Sequence, residues 1–124
     1  MKVGDVTVWE RTFTVEDVRL FGQVSGDQGI HHVERDERGR LMVQGLLTAT
    51  LPTKIGGDLN YIAREMVFEF LRPVFTGDII RCETTITHLE QLDGRTNMAA
   101  KWVCRNQQGK EVMTGHTHGI IRNG

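Results

Sequence analysis

The sequence predicts an α+β fold in one domain, residues 1–124. Three features carry that expectation. Apolar residues recur at helical spacing in the first half of the chain and alternate with polar ones in the second. One stretch, 42–55, stays apolar for longer than an ordinary strand. Turn-forming groups (Thr76-Gly77-Asp78, Asp93-Gly94 and Gln107-Gln108-Gly109) punctuate the alternating half. The expected order is a strand, two helices and then an antiparallel meander.

Each element has its own signal. Residues 6–13 alternate well enough for a first strand. Thr14 reads as a helix N-cap, with Glu16 and Asp17 in the first turn, where the backbone dipole favours acids. Val15, Val18, Phe21 and Gly22 then share one helical face, and Gly26 stops the helix. Residues 27–40 are polar and read as a loop. Residues 42–55 carry no charge before Lys54 and read as a long buried helix, bent by Pro52 and ended by Gly56-Gly57. In 62–73 the shared face is Ile62, Met66, Phe68 and Phe70. In 79–89 it is Ile80, Cys82, Thr84 and Ile86, and in 95–105 it is Met98, Ala100, Trp102 and Cys104. A last strand at 111–121 is less clearly sided. The meander's inner face needs a cover, and the apolar helix is the element able to supply it.

Composition excludes several classes of function. Fifteen basic and 16 acidic residues leave a net charge of −1, with no positive field for non-specific nucleic-acid binding. No run approaches the roughly 18 apolar residues of a membrane span. Residues 1–10 lack a basic-then-apolar export pattern, and two cysteines are too few for a disulfide scaffold. A cytoplasmic protein is expected.

Several residues carry chemistry. Asp27 and His32 lie five apart in one loop. A carboxylate and an imidazole converging on one water can move protons near neutral pH, while Asp27 alone serves equally well to cap a turn. Gln44-Gly45 opens the apolar helix, where free backbone N–H groups suit an oxyanion; Gly45 also permits tight packing. Thr53, two turns on, either bonds back to the preceding turn or faces a ligand. His116 and His118 share a strand face, but two ligands do not complete a metal site, and no metal is expected. Cys82 and Cys104 fall on inner strand faces as buried structural thiols. Arg35, Arg38 and Arg40 lie in a charged loop that is most simply solvated, or else meets phosphates. No glycine loop of Walker or dinucleotide type is present.

Three segments together resemble one family. They are Ser25-Gly26-Asp27-Gln28-Gly29-Ile30-His31-His32, Met42-Val43-Gln44-Gly45-Leu46-Leu47 and Phe68-Glu69-Phe70-Leu71-Arg72-Pro73-Val74-Phe75-Thr76-Gly77-Asp78. In this order the chain resembles the MaoC-like (R)-specific enoyl-CoA hydratases, which have the hotdog fold. The resemblance spans about residues 13–121. It implies a single hotdog domain, an antiparallel sheet wrapped around a long central helix at 42–55, and a homodimer or higher homo-oligomer with sheets joined edge to edge. It implies water addition to a trans-2-enoyl thioester, or the reverse, on an acyl-CoA or acyl carrier protein substrate. Asp27 and His32 match the water-holding pair, Gly45 the oxyanion donor, and Thr53 a helix hydroxyl that positions the site. No metal or redox cofactor is implied.

Three departures accompany the resemblance. Gly29-Ile30 stand where the family usually has Asn-Pro, which removes a rigid turn. Gln44 stands in place of His; it still hydrogen-bonds but does not titrate. The loop from His32 to Gly45 is shorter than in typical members, which reshapes the acyl pocket. Two other functions fit a hotdog. A thioesterase commonly places an acid near the central helix, and here Asp58 falls just beyond it. The Gly29-Ile30 and Gln44 departures also fit a non-catalytic acyl-CoA-binding or scaffold module, which binds ligand without turnover.

Overall fold

The structure, a computed structural model that describes residues 1–122, is built on one five-stranded antiparallel sheet. Its strands are β1 (Val6–Thr12), β2 (Tyr61–Phe70), β3 (Ile79–Leu92), β4 (Arg95–Arg105) and β5 (Glu111–Arg122). Four helical segments lie between β1 and β2: α1 (Val15–Ser25), α2 (Ile30–Val33), α3 (Gly45–Thr48) and α4 (Thr50–Asp58). Among the described residues no helix is long and apolar enough to cross a membrane.

The strand order is β1-β3-β4-β5-β2. Only β3, β4 and β5 form the expected meander. The strand β2 is not the meander's first member: it leaves α4 and pairs with β5 at the far edge. Neighbours in sequence usually pair, but β3 has β1 on its free side, and β2 takes the remaining edge. Residues 71–78 then carry the chain back, anchored by Leu71 N–H to Val112 O at 2.9 Å and by Val43 N–H to Val74 O at 2.8 Å.

The α1 boundaries follow the expected chemistry. Thr14 Oγ1 accepts from Asp17 N–H at 3.1 Å, and Asp17 Oδ2 accepts from Thr14 N–H at 2.9 Å. That second bond, with Arg11 3.1 Å away, holds the Asp17 carboxyl below the usual carboxylate range. Gly26 closes the helix with φ 77.

The apolar stretch 42–55 is not one long helix. Met42 forms an isolated bridge with Phe75, and the helix starts only at Gly45. It comes in pieces of 4 and 9 residues that meet at Ala49. The cause is Pro52: without an N–H it leaves the Thr48 carbonyl without its usual donor, and its ring crowds that carbonyl. Gly56-Gly57 do not stop α4. It continues to Asp58, helped by the Lys54–Asp58 pair, and the chain turns at Asn60, whose φ is 56. The predicted loop 27–40 also contains a helical turn, α2, which buries His32.

The cover over the inner face is as expected. Leu47, Leu51 and Ile55 of the helix pack with Ile80, Trp102 and Met113 of the sheet. The predicted inner sets of β3 and β4 are buried. In β2 a register shift between Ala63 and Glu65 changes the parity. Tyr61 and Ala63 therefore join Met66 on the inner side, and Ile62 turns out to solvent instead of sharing that face.

Candidate active site

The end of α1 sets up Asp27. Ser25 Oγ donates to Phe21 O at 2.6 Å and accepts from Asp27 N–H at 3.0 Å, so the chain leaves the helix in a fixed direction. Asp27 Oδ1 accepts from Gly29 N–H at 3.4 Å, which leaves Oδ2 free to face elsewhere. It faces His32 Nε2, 3.6 Å away.

His32 is oriented from its other side. Its Nδ1 lies 2.6 Å from the Met42 carbonyl oxygen. A carbonyl only accepts, so Nδ1 carries a proton and Nε2 is the chemically free nitrogen. The Met42 N–H donates to His31 O at 3.0 Å, which ties α2 to the strand-like segment before α3. The two side chains of the pair differ in exposure, 7% for His32 and 53% for Asp27. A separation of 3.6 Å exceeds a direct hydrogen bond but suits one water bonded to both atoms.

The pair borders a groove of about 530 Å³. Gly45, Leu46 and Thr48 line it from the helix, Phe70 from the end of β2, and Arg72 and Val74 from the segment after it. No side chain caps the start of α3. The Gly45 N–H is among the backbone donors that a helix start leaves without an intrahelical partner. A Cβ on Gly45 would come within 2.8 Å of Phe70 Cε1, so the glycine also permits the close approach of this ring.

Not every residue singled out in the sequence meets here. Gln44 is buried and turned away from the groove: its Nε2 donates to Val18 O at 2.9 Å, and Oε1 has no partner. It lies behind the pair, in a hollow of about 180 Å³ also lined by Asp27 and His32. Thr53 lies outside the groove. Its hydroxyl donates to Thr50 O at 3.0 Å, and it lines a separate cavity of about 160 Å³ between α4 and the sheet. The hydroxyl-bearing residue of the groove is Thr48, unremarked in the sequence although it lies one helical turn from Gly45. Phe70 and Arg72 also line the groove, and nothing in their spacing marked them for it.

The remaining candidates fall elsewhere. His116 and His118 lie exposed on the sheet, with His118 3.7 Å from Glu65. Among the described residues no three His, Cys, Asp or Glu side chains gather in a way that would hold a metal. Cys82 and Cys104 are register partners on β3 and β4, buried and not joined in a disulfide. The hydrogen bond to Cys82, together with burial, pushes the Cys104 thiol up. Arg40 pairs with Asp36 at 2.9 Å and stacks over Phe75, while Arg35 donates to Gly39 O. Both are therefore engaged within their own region.

No protein-family model matches the sequence, and no curated protein matches it. Solved structures do match the fold. An (R)-hydratase from A. caviae, described as involved in PHA biosynthesis, superposes with a TM-score of 0.85 at 23% identity, over 99% of this chain and 98% of that one. The R-hydratase PhaJ1 from Pseudomonas aeruginosa gives 0.81 at 24% identity, over 98% of this chain and 82% of that one. A MaoC-like dehydratase from Rhodospirillum rubrum gives 0.78 at 16%, over 100% and 94%. In fold, the chain stands with the (R)-hydratases and MaoC-like dehydratases, as a hotdog.

Proposed function

We propose that this chain is a hydratase/dehydratase that interconverts a trans-2-enoyl thioester and its (R)-3-hydroxyacyl counterpart. The observation that carries this is the Asp27–His32 pair, 3.6 Å apart at the edge of the groove that Gly45 also lines. The shared fold with (R)-hydratases adds support.

Hydration needs a base for the attacking water and an acid for C2, so the pair enters each turnover holding one proton. Asp27 Oδ2 takes a proton from the water as its oxygen bonds to C3. The electron pair of the C2–C3 double bond moves toward the thioester carbonyl, whose oxygen gains negative charge. The Gly45 N–H stabilises that oxygen. His32 Nε2 gives its proton to C2 while Nδ1 stays bonded to the Met42 carbonyl. The proton on Asp27 then passes to His32 and restores the pair. Dehydration is the same path reversed, and no step calls on a metal or redox cofactor.

A thioesterase fits less well. Asp58, the acid nearest the helix, is 60% exposed and paired with Lys54. The substrate is an acyl-CoA or acyl carrier protein thioester. The protein acts as a homodimer, because β2 leaves a ten-residue sheet edge unpaired that a second copy would extend. Its unbonded thiols suit a reducing cytoplasm.

The test is loss of the conjugated-thioester absorbance on trans-2-enoyl-CoA substrates of several chain lengths, with Asp27→Asn alongside. The expected result is turnover by the native protein and loss of at least about a hundredfold in the variant. Absence of turnover in both directions, or full activity in Asp27→Asn, would overturn the proposal.

A further inference from the structure

We infer that Arg72 is the anion-recognising residue of the groove and takes a phosphate on the pantetheine arm of the thioester. Three observations support it beyond the hydratase reading, on which the substrate class rests. Among the described residues Arg72 is the one arginine or lysine that lines the groove. Its guanidinium is fixed, because Nη1 donates to Glu111 O at 2.7 Å. Its backbone is fixed too: Leu71 N–H and Arg72 N–H both donate to Val112 O, and Pro73 follows.

The second point is what Arg72 lacks. Arg11, Arg40, Arg81 and Arg105 each have a carboxylate within 4.0 Å. Among the described residues Arg72 has none, and Asp27, the carboxylate of the same groove, is not its partner. One Nη1 bond to a neutral carbonyl leaves the charge uncompensated and several N–H donors free. A pre-positioned guanidinium of this kind matches phosphate oxygens with little further loss of side-chain freedom.

The third point is the lining between. Leu46, Phe70, Leu71 and Val74 are apolar. The groove therefore offers a proton-transfer pair, an apolar wall and one separate cation. Its volume of about 530 Å³ falls within the range of small-molecule sites. The matching ligand has a reactive head, a mostly uncharged arm and an anion apart from the head. A thioester of phosphopantetheine has this order of groups, whether it belongs to coenzyme A or to a carrier protein.

The test compares native protein and Arg72→Gln on three crotonyl thioesters: of coenzyme A, of a carrier protein and of N-acetylcysteamine, which has no phosphate. The expected result is a KM raised about tenfold on a phosphate-bearing thioester with kcat little changed, and kcat/KM on the truncated thioester within twofold. Arg72→Lys should recover part of the KM. A penalty on both phosphate-bearing substrates places the guanidinium on the phosphate they share; a penalty on coenzyme A alone would overturn that assignment in favour of the nucleotide phosphates. Equal penalties on all three substrates, or none, would overturn the inference. Calorimetric titration of coenzyme A into Asp27→Asn and Asp27→Asn/Arg72→Gln keeps the two proposals separable. An Arg72-dependent affinity without turnover by the native protein retains this inference and rejects the hydratase. Turnover with no dependence of affinity or KM on Arg72 does the reverse.

Discussion

His32 Nε2 stands 3.6 Å from Asp27 Oδ2, between a buried ring and a half-exposed carboxylate. The exposure difference decides which variant is the cleaner probe. Asp27→Asn keeps shape, and its one side-chain bond within the chain is a 3.4 Å contact from Gly29 N–H. We expect it to lower kcat by about 10²- to 10⁴-fold with the melting temperature unchanged. His32→Gln removes the ring that bonds the Met42 carbonyl, so it loses activity and also about 1 kcal/mol of stability. Because the two groups act as a unit, the double variant should be scarcely worse than the weaker single one. Additive losses in kcat would show that they act separately.

Gln44 gives a prediction of opposite sign. Its Nε2 bond to Val18 O adds about 1 kcal/mol, but its buried Oε1 has no partner, which costs about 1–3 kcal/mol. The second term is the larger. Gln44→Met, which keeps the volume and removes both polar atoms, should therefore unfold at a denaturant midpoint equal to or above that of the native protein. A drop of more than about 1 kcal/mol would mean that the amide oxygen is satisfied in solution.

Gly45 and Phe70 form a coupled pair. The 2.8 Å approach of a Cβ to the Phe70 ring means that something must shift in Gly45→Ala. Phe70 is 52% exposed, so its ring is free to swing outward. We expect a cost of about 1 kcal/mol, at the low end for overpacking, together with altered turnover because the ring that moves lines the groove. In a Phe70→Ala background the alanine at position 45 should cost less than half as much. An unchanged cost there would place the strain in the backbone and not at the ring.

Local chemistry was legible in the sequence, and long-range geometry was not. The Thr14 cap, the Gly26 stop and the inner faces of β3 and β4 depend on residues a few positions apart, and they stand where spacing put them. The placement of β2 depends on which sheet edge is free, a property of the whole chain that no segment encodes alone. From spacing alone Pro52 bends one helix; the structure has two pieces, and the start moves to Gly45 because Met42 is held by Phe75, a partner distant in sequence. The site divides in the same way. Asp27 and His32 are close in sequence and close in space. Gln44 and Thr53 were tied to that pair by family pattern, and their side chains turn elsewhere for local reasons: Gln44 to the Val18 carbonyl, Thr53 to its own helix.

The capping box makes stability depend on pH in a stated direction. The Asp17 carboxyl is held below its ordinary value of 3.8 chiefly by the Thr14 N–H. A lowered folded-state value means that the ionised form stabilises the fold above the unfolded value, and that this contribution is lost as pH falls through the folded value. Asp17→Ala should therefore cost about 1 kcal/mol at pH 7 and clearly less at pH 3. Urea midpoints of the two proteins at both pH values test this, and a difference that does not narrow on acidification would rule out the carboxylate as the cause.

The two cysteines provide a last test, of the core itself. Cys82 and Cys104 face each other across β3 and β4 with no exposed surface. The hydrogen bond shared with Cys82, and then burial, push the Cys104 thiol up. Both sulfurs are fully buried, so a thiol reagent reaches neither until the sheet opens. For a domain stable by about 5 kcal/mol, global opening is populated at least about a thousandfold below the native state, so labelling should be slower by that factor than in the unfolded chain. Both thiols should react together, with a single rate that rises with sub-denaturing urea, and quickly once the chain is unfolded. Fast labelling of one thiol in the native protein would show that β3 or β4 opens locally, and would place the weakest part of the sheet beside the helix that covers it.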